Sequence, residues 1–285
     1  MNISETLKQA TEILKQNIIV EPRREANSLL AFALGKDKTF LIAHSEYELS
    51  ETETIKFEKL LTRRAAHEPL QYIRGHQEFF GLDFVVTPDV LIPRPETELI
   101  VEAAIEILQT KEKSHFCEIG TGSGCISISI LHEVKNATAT GADVSENALA
   151  ITKLNAEKNA VADRLNLIES DVFENFENER FDLVVSNPPY VPKEDFESLQ
   201  AEVRDFEPHI ALTDGKNGLS IIEKIISDTP QFLKPDCYLL MEIGFNQSFK
   251  VEEMFDTNIW QTVEFLPDLQ GIPRMAKARL KTEFD

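Results

Sequence analysis

Beyond Ser114 the chain alternates short apolar runs with longer segments of helical spacing, and this alternation limits the fold more than any other feature. Strand-like runs fall at His115 to Ile119, Ala137 to Ala142, Asn166 to Ile168, Phe181 to Ser186 and Tyr238 to Ile243. Parallel strands need crossover connections, so the pattern predicts an α/β domain with a mostly parallel sheet covered by helices on both faces. Two further runs, Gln261 to Phe265 and Met275 to Leu280, are expected to close the sheet as a hairpin, with Gln270-Gly271-Ile272-Pro273 turning between them. One passage is in conflict. Ile126, Ile128 and Ile130 alternate with Ser127 and Ser129, the period of a strand. A helix is nevertheless expected, because the passage follows a glycine-rich loop where a βαβ unit places one.

The first quarter reads differently. Leu7, Ala10, Ile13 and Leu14 repeat at helical spacing, as do Ala26, Leu29, Leu30, Ala33 and Leu34, with Gly35 as a stop. Ser50-Glu51-Thr52-Glu53 offers a capping box for a third helix through Ile55, Leu60, Leu61 and Ala65. At 285 residues two domains are the default. The expected division is a helical bundle over 1–75, a β-hairpin linker over 76–94 built on Phe79, Phe80, Leu82, Phe84, Val85 and Val86, and the α/β domain over 95–285. Pro93 and Pro95 hold the junction extended, and Pro95-Glu96 suits the first turn of the helix carrying Leu99, Ile100, Ala103, Ala104 and Ile107.

Charge narrows the function. Lys and Arg total 29 against 49 Asp and Glu, a net −20. Residues 1–75 hold 11 of each sign, so the remainder carries the whole excess. Nucleic-acid binding needs a basic face to meet phosphates, and a domain this acidic lacks the raw material for a broad one, so direct nucleic-acid binding is disfavoured. Three cysteines without CxxC spacing and six scattered histidines suggest neither a disulfide framework nor a metal site. No apolar run approaches membrane-spanning length, and Met1-Asn2-Ile3-Ser4-Glu5 lacks the features of a signal peptide, so a soluble cytoplasmic protein is expected.

Glu118-Ile119-Gly120-Thr121-Gly122-Ser123-Gly124 follows a strand and opens a helix. Glycines there allow a tight turn and let a ligand lie against main-chain N–H groups. The pattern is GxGxG, and Cys125 stands where the dinucleotide fingerprint would continue, which disfavours an NAD-type oxidoreductase. Asp143 ends the next strand 23 residues after Gly120, where an acid can accept both ribose hydroxyls or cap the helix from Ser145. Asp171 ends the third strand, within reach of an adenine amine, though a plain loop acid is an equal reading.

Asn187-Pro188-Pro189-Tyr190 ends the apolar run Phe181 to Ser186. A rigid polar tetrapeptide in that place offers the Asn side-chain oxygen and the Pro188 carbonyl as fixed acceptors beside an aromatic ring. Such a pair can hold both hydrogens of a planar NH2 group and aim its poorly nucleophilic lone pair at an electrophile without a base.

These motifs resemble the PrmC/HemK family. The likeness spans nearly the whole chain: the helical N-terminal region, Leu91-Ile92-Pro93-Arg94-Pro95-Glu96-Thr97-Glu98, the Gly120 to Gly124 loop, Asp143, Asn187 to Tyr190, Glu207-Pro208, Asp214-Gly215 and Gly218-Leu219. It implies a class I, Rossmann-like methyltransferase domain that uses S-adenosylmethionine, without a metal, to methylate the side-chain amide nitrogen of the glutamine in the Gly-Gly-Gln motif of class I peptide chain release factors. It further implies that Gly120, Thr121, Gly122, Ser123, Gly124, Asp143, Asp171, Val172 and Asn187 hold the cofactor. Asn187, Pro188, Pro189 and Tyr190 would hold the glutamine, with Asn187, Pro188 and Tyr190 serving the reaction. Some relatives carry Trp after the third-strand acid, where this chain has Val172, so the resemblance leaves the adenine packing at this position open. The N-terminal helices are expected to grip the protein substrate. The alternatives are a methyltransferase of the same fold acting on the exocyclic amine of adenine in nucleic acid, which the charge disfavours, and a non-catalytic adaptor, which the intact motifs disfavour.

Overall fold

The computed structural model describes residues 1–282, which form two compact units: Met1–Gly75 with Gln200–Phe206, and His76–Leu199 with Glu207 onward. The first unit is helical. Helix α1 (Ile3–Gln16) opens on a capping box in which Asn2 accepts from the Glu5 N–H at 2.9 Å and Glu5 accepts from the Asn2 N–H at 3.2 Å. Helices α2 (Pro22–Leu34) and α3 (Lys38–Ala43) follow, then α4 (Glu51–Ala65), which has the expected Ser50/Glu53 box, and α5 (Leu70–Arg74). Ala10, Leu14, Leu29, Leu30 and Leu61 form its core. Arg64, only 2% exposed, donates to Glu25 and, at 2.7 Å, to Glu202, which ties Gln200–Phe206 into this unit. Burying a guanidinium is costly unless it is paired in this way.

The second unit begins with strands β1 (His76–Phe79) and β2 (Leu82–Val85), an antiparallel hairpin. Phe79 and Phe84 meet edge to face at 6.1 Å and join the same buried cluster as Ile100, Val101 and Ala104 of α6 (Glu98–Leu108), so the hairpin belongs to this unit's core. The chain continues through β3 (Ser114–Ile119), α7 (Cys125–Glu133), β4 (Ala137–Asp143), α8 (Glu146–Lys158), β5 (Leu165–Glu169) and β6 (Phe181–Ser186). After the short α9 (Ala201–Arg204) of the first unit come α10 (Ser220–Phe232), β7 (Leu233–Glu242), α11 (Ser248–Glu252), β8 (Trp260–Pro267) and β9 (Pro273–Leu280).

The seven-stranded sheet has the order β5-β4-β3-β6-β7-β9-β8, parallel from β5 to β7 and antiparallel where β9 pairs with β7 and β8. Alternate strand residues serve opposite faces, as a period of two requires. Phe116 and Leu240 pack towards α6 and α7, whereas Cys117, Ile119, Leu239 and Met241 pack towards α10 and α11. From β3 the chain moves out to β4 and β5, then returns to place β6 on the other side of β3. The carboxyl ends of β3 and β6 therefore flank a topological switch point, where open α/β sheets bind ligands.

The passage of alternating Ile and Ser is helix α7. Every residue from Cys125 to Leu131 is buried, so the helix has no wet face and its sequence shows no helical period. Among the described residues no helix is long and apolar enough to cross a membrane, and no group of metal-ligating side chains gathers.

Candidate active site

The glycine loop leaves β3 at the switch point. Gly120 and Thr121 donate their N–H groups to the Ala142 carbonyl at 2.8 and 3.0 Å, pinning the loop to the end of β4. Gly120 and Gly122 have φ of +75° and +54°, and a Cβ added at either would project into open space. The loop therefore lines a cradle kept free of side chains, with room for a ligand against the backbone. Gly124 differs. A Cβ there would lie 2.7 Å from Thr152 and 2.8 Å from Ile128, and Gly124 is absent from the cavity wall, so its visible role is the left-handed turn that lets α7 pack closely.

Asp143 is not the cap of α8; the Ser145 hydroxyl holds that place, accepting from the Ala148 N–H at 3.2 Å. Asp143 instead accepts from Gly122 N–H at 2.9 Å and Ser145 N–H at 3.0 Å, linking the glycine loop to the turn after β4. Burial raises its pKa, and those backbone N–H groups work in the opposite direction. Asn155, which sequence reasoning missed, steadies the same loop by donating to the Ser123 carbonyl at 2.9 Å and bonding both backbone groups of Val85. Nothing in its neighbourhood sets it apart from any other helical Asn; only the fold brings those three groups to it.

Glu118, the last-but-one residue of β3, is 1% exposed and lies on the cavity wall. Burial pushes its carboxyl up to about 8, against the opposing bonds from the Ser127 hydroxyl and N–H. Asp171 and Val172 also line the cavity. The Asp171 carboxylate is half exposed and lies 3.1 Å from the Lys224 ammonium. Val172 is buried with φ +54°, a left-handed conformation that is strained for a β-branched residue. This wall of the cavity is thus a small aliphatic surface on a constrained backbone.

Asn187 leaves the end of β6 on the opposite side of the switch point, where the Ser186 hydroxyl donates to the Ile119 carbonyl at 2.8 Å and holds the two strand ends together. Asn187 and Pro189 line the cavity, and Pro188 and Tyr190 adjoin them in the turn. The Asn187 amide NH2 donates to the Thr97 hydroxyl at 3.1 Å. Thr97 donates to Glu242 Oε2 at 2.7 Å, and the Tyr190 hydroxyl donates to Glu242 Oε1 at 3.1 Å. Burial raises the Glu242 pKa; Thr97, Tyr190 and Arg274 lower it, and Glu96 raises it further. Burial and Glu242 together hold the Tyr190 phenol well above its ordinary range, so it remains a donor. Glu242 was missed because an acid ending an apolar strand reads as a boundary. Its significance lies in β7 being the sheet neighbour of β6.

Two more devices fix this region. Glu207, 3% exposed, accepts from the Arg94 guanidinium at 2.5 Å and from the Ile92 N–H at 3.2 Å, holding the Pro93-Arg94-Pro95 segment beside the cavity. Gln247 accepts from the Gly244 N–H at 2.8 Å and donates to the Tyr190 carbonyl at 2.9 Å. The cavity encloses about 330 Å³ and is mainly apolar, with Asn187 and Asp143 among its polar groups. Such a cavity suits a small cofactor with one end held by hydrogen bonds.

The sheet order, the loop after β3 and the Asn-Pro-Pro-Tyr turn after β6 together define a class I methyltransferase domain. The methyltransferase from Pyrococcus furiosus has this fold, at TM-score 0.53 and 19% identity over 72% of this chain and 91% of that one. Residues 5–75 match the PrmC N-terminal domain and residues 97–203 the methyltransferase small domain. The release factor glutamine methyltransferase of Koribacter versatilis is 38% identical, covering 97% of this chain and 99% of its own. That of Geobacter sulfurreducens is 40% identical over 94% and 93%. This chain belongs to the release factor glutamine methyltransferase family.

Proposed function

We propose that the protein transfers a methyl group from S-adenosylmethionine to the side-chain amide nitrogen of the glutamine in the Gly-Gly-Gln motif of class I peptide chain release factors. The likeness to relatives of that name extends over almost the full length of both chains, N-terminal helices included, and so favours the same substrate. The observation that carries the chemistry is the Asn187 amide, whose NH2 end is engaged by Thr97 and whose oxygen is thereby left to accept from a substrate.

The residues present fit the cofactor. Gly120 to Ser123 offer the open backbone cradle, Asp143 an acceptor for the ribose hydroxyls, and Asp171 and Val172 the adenine side of the cavity. Once bound, the cofactor supplies an electrophilic methyl on a sulfonium. The Asn187 oxygen and the Pro188 carbonyl accept the two amide hydrogens of the substrate, which directs its nitrogen lone pair along the line of displacement. Tyr190 and Pro189 confine the amide plane. Positive charge growing on nitrogen meets these preoriented dipoles as the methyl–sulfur bond gives way to the methyl–nitrogen bond, with neutral S-adenosylhomocysteine as the leaving group. The methylated nitrogen is then strongly acidic and loses its extra proton to water, so no general base precedes transfer. The N-terminal helices supply contact area to the folded protein substrate, since one glutamine side chain offers too little for selectivity.

The test is kinetic. Replacing Asn187 by Ala lowers turnover about a hundredfold or more, the size expected for losing a preorganised polar group at the reacting centre. Tandem mass spectrometry of the methylated release factor places the methyl on that glutamine. Normal turnover by the variant, or a methyl on another residue, refutes the assignment.

A further inference from the structure

We propose that Glu242, acting through the Thr97 hydroxyl, is the positioning residue that decides which end of the Asn187 amide faces the cavity. The proposal rests on the reading that the Asn187 oxygen accepts from the substrate amide.

Hydrogen-bond direction carries the argument. A hydroxyl has one hydrogen, Glu242 accepts at both of its carboxyl oxygens, and an Asn amide has a donor end and an acceptor end of nearly equal shape. Thr97 and Glu242 are 2% and 3% exposed, so solvent does not compete for their bonds. The carboxylate takes the Thr97 hydrogen at 2.7 Å and the Tyr190 hydrogen at 3.1 Å. Thr97 is then left with lone pairs alone to offer Asn187. The amide must present its NH2 end to Thr97, as it does at 3.1 Å, and its oxygen is turned the other way. With the amide flipped, two acceptors would face each other in a buried site with no hydrogen between them, a costly arrangement. A carboxylate that does not line the cavity thus sets the polarity of a residue that does. Because it also takes the Tyr190 hydrogen, it orients two members of the Asn-Pro-Pro-Tyr turn at once.

A double-mutant cycle on the full-length protein tests this, with labelled methyl transfer to a purified class I release factor as the assay. Thr97→Val keeps the shape and removes the acceptor; it lowers kcat about tenfold, a loss of ~1.4 kcal/mol. The KM for S-adenosylmethionine stays within about threefold, and Thr97→Ser, which keeps the hydroxyl, restores kcat to within about threefold of the parent. In an Asn187→Ala background Thr97→Val costs less than about twofold, because the amide it positions is gone. A repeated tenfold loss in that background, or an unchanged kcat for Thr97→Val alone, overturns the proposal. If Thr97→Val does not fold, Glu242→Gln takes its place in the cycle. It gives Thr97 a donor in one of its two orientations, so it lowers kcat about fivefold and is again silent without Asn187; additive losses overturn the proposal equally. Failure of the underlying reading shows separately, as near-normal turnover by Asn187→Ala alone.

Discussion

Replacing Gly218 by Ala tests how tightly the Asn-Pro-Pro-Tyr turn is held from behind. Gly218 has φ +75°, and an added Cβ would overlap the Tyr190 carbonyl oxygen and lie 2.8 Å from its carbon and 3.0 Å from the Pro192 nitrogen. Backbone cannot rotate away as a flexible side chain can. Gly215 is the internal control, since its φ is +71° but nothing lies within 4 Å of its added Cβ. Both variants suffer the left-handed penalty of about 1–2 kcal/mol. Only Gly218→Ala adds the steric term, typically about 1–3 kcal/mol for forced overpacking. At roughly 2–4 °C per kcal/mol for a unit of this size, its melting temperature falls roughly 2–12 °C below that of Gly215→Ala. The displacement is directed at the Tyr190 carbonyl, which Gln247 also holds, and so moves the turn that carries Asn187. A shift of about 1 Å at a reacting centre costs up to about a hundredfold, so kcat falls by ten- to a hundredfold while Gly215→Ala stays near the parent. Differential scanning calorimetry and methyl transfer measure the two effects. Equal melting temperatures and equal kcat for the two variants refute the reasoning.

Asp143→Asn replaces one acceptor oxygen by an NH2 group that would face the Gly122 or Ser145 N–H. Isothermal titration is expected to show S-adenosylmethionine binding weakened about ten- to a hundredfold, as for loss of a charged hydrogen bond of about 1.5–3 kcal/mol; unchanged affinity counts against the ribose role. Glu118 has its pKa raised from 4.5 to about 8 by burial, so the folded state binds its proton more tightly than the unfolded state does. Its contribution to stability therefore falls as pH rises between those values, by up to about 1.4 kcal/mol per pH unit. Glu118→Gln, measured without cofactor, removes this slope; parallel pH–stability curves for parent and variant refute it.

Much of the fold could be read from the chain because local and global signals agree over most of it. The βα alternation, the Ser50/Glu53 box and the turn before β9 each follow from residue chemistry within a few positions. Helix α7 was readable only from its place after the glycine loop, because burial on every side erased its period. Asn187 and the glycine loop announce themselves as motifs. The partners that orient them do not, since Thr97, Asn155, Gln247 and Glu242 come from distant parts of the sequence and meet only once the strands are ordered. The grouping of Gln200–Phe206 with the first unit is of the same kind, since the bond from Arg64 to Glu202 spans 138 positions of the sequence.

The most direct test of the central claim is transfer of labelled methyl from S-adenosylmethionine to a purified class I release factor, beside the same factor with its Gly-Gly-Gln glutamine replaced. The account predicts label on the first and none on the second. Label on both would place the target elsewhere, and label on neither, with cofactor binding confirmed by titration, would contradict the proposed activity.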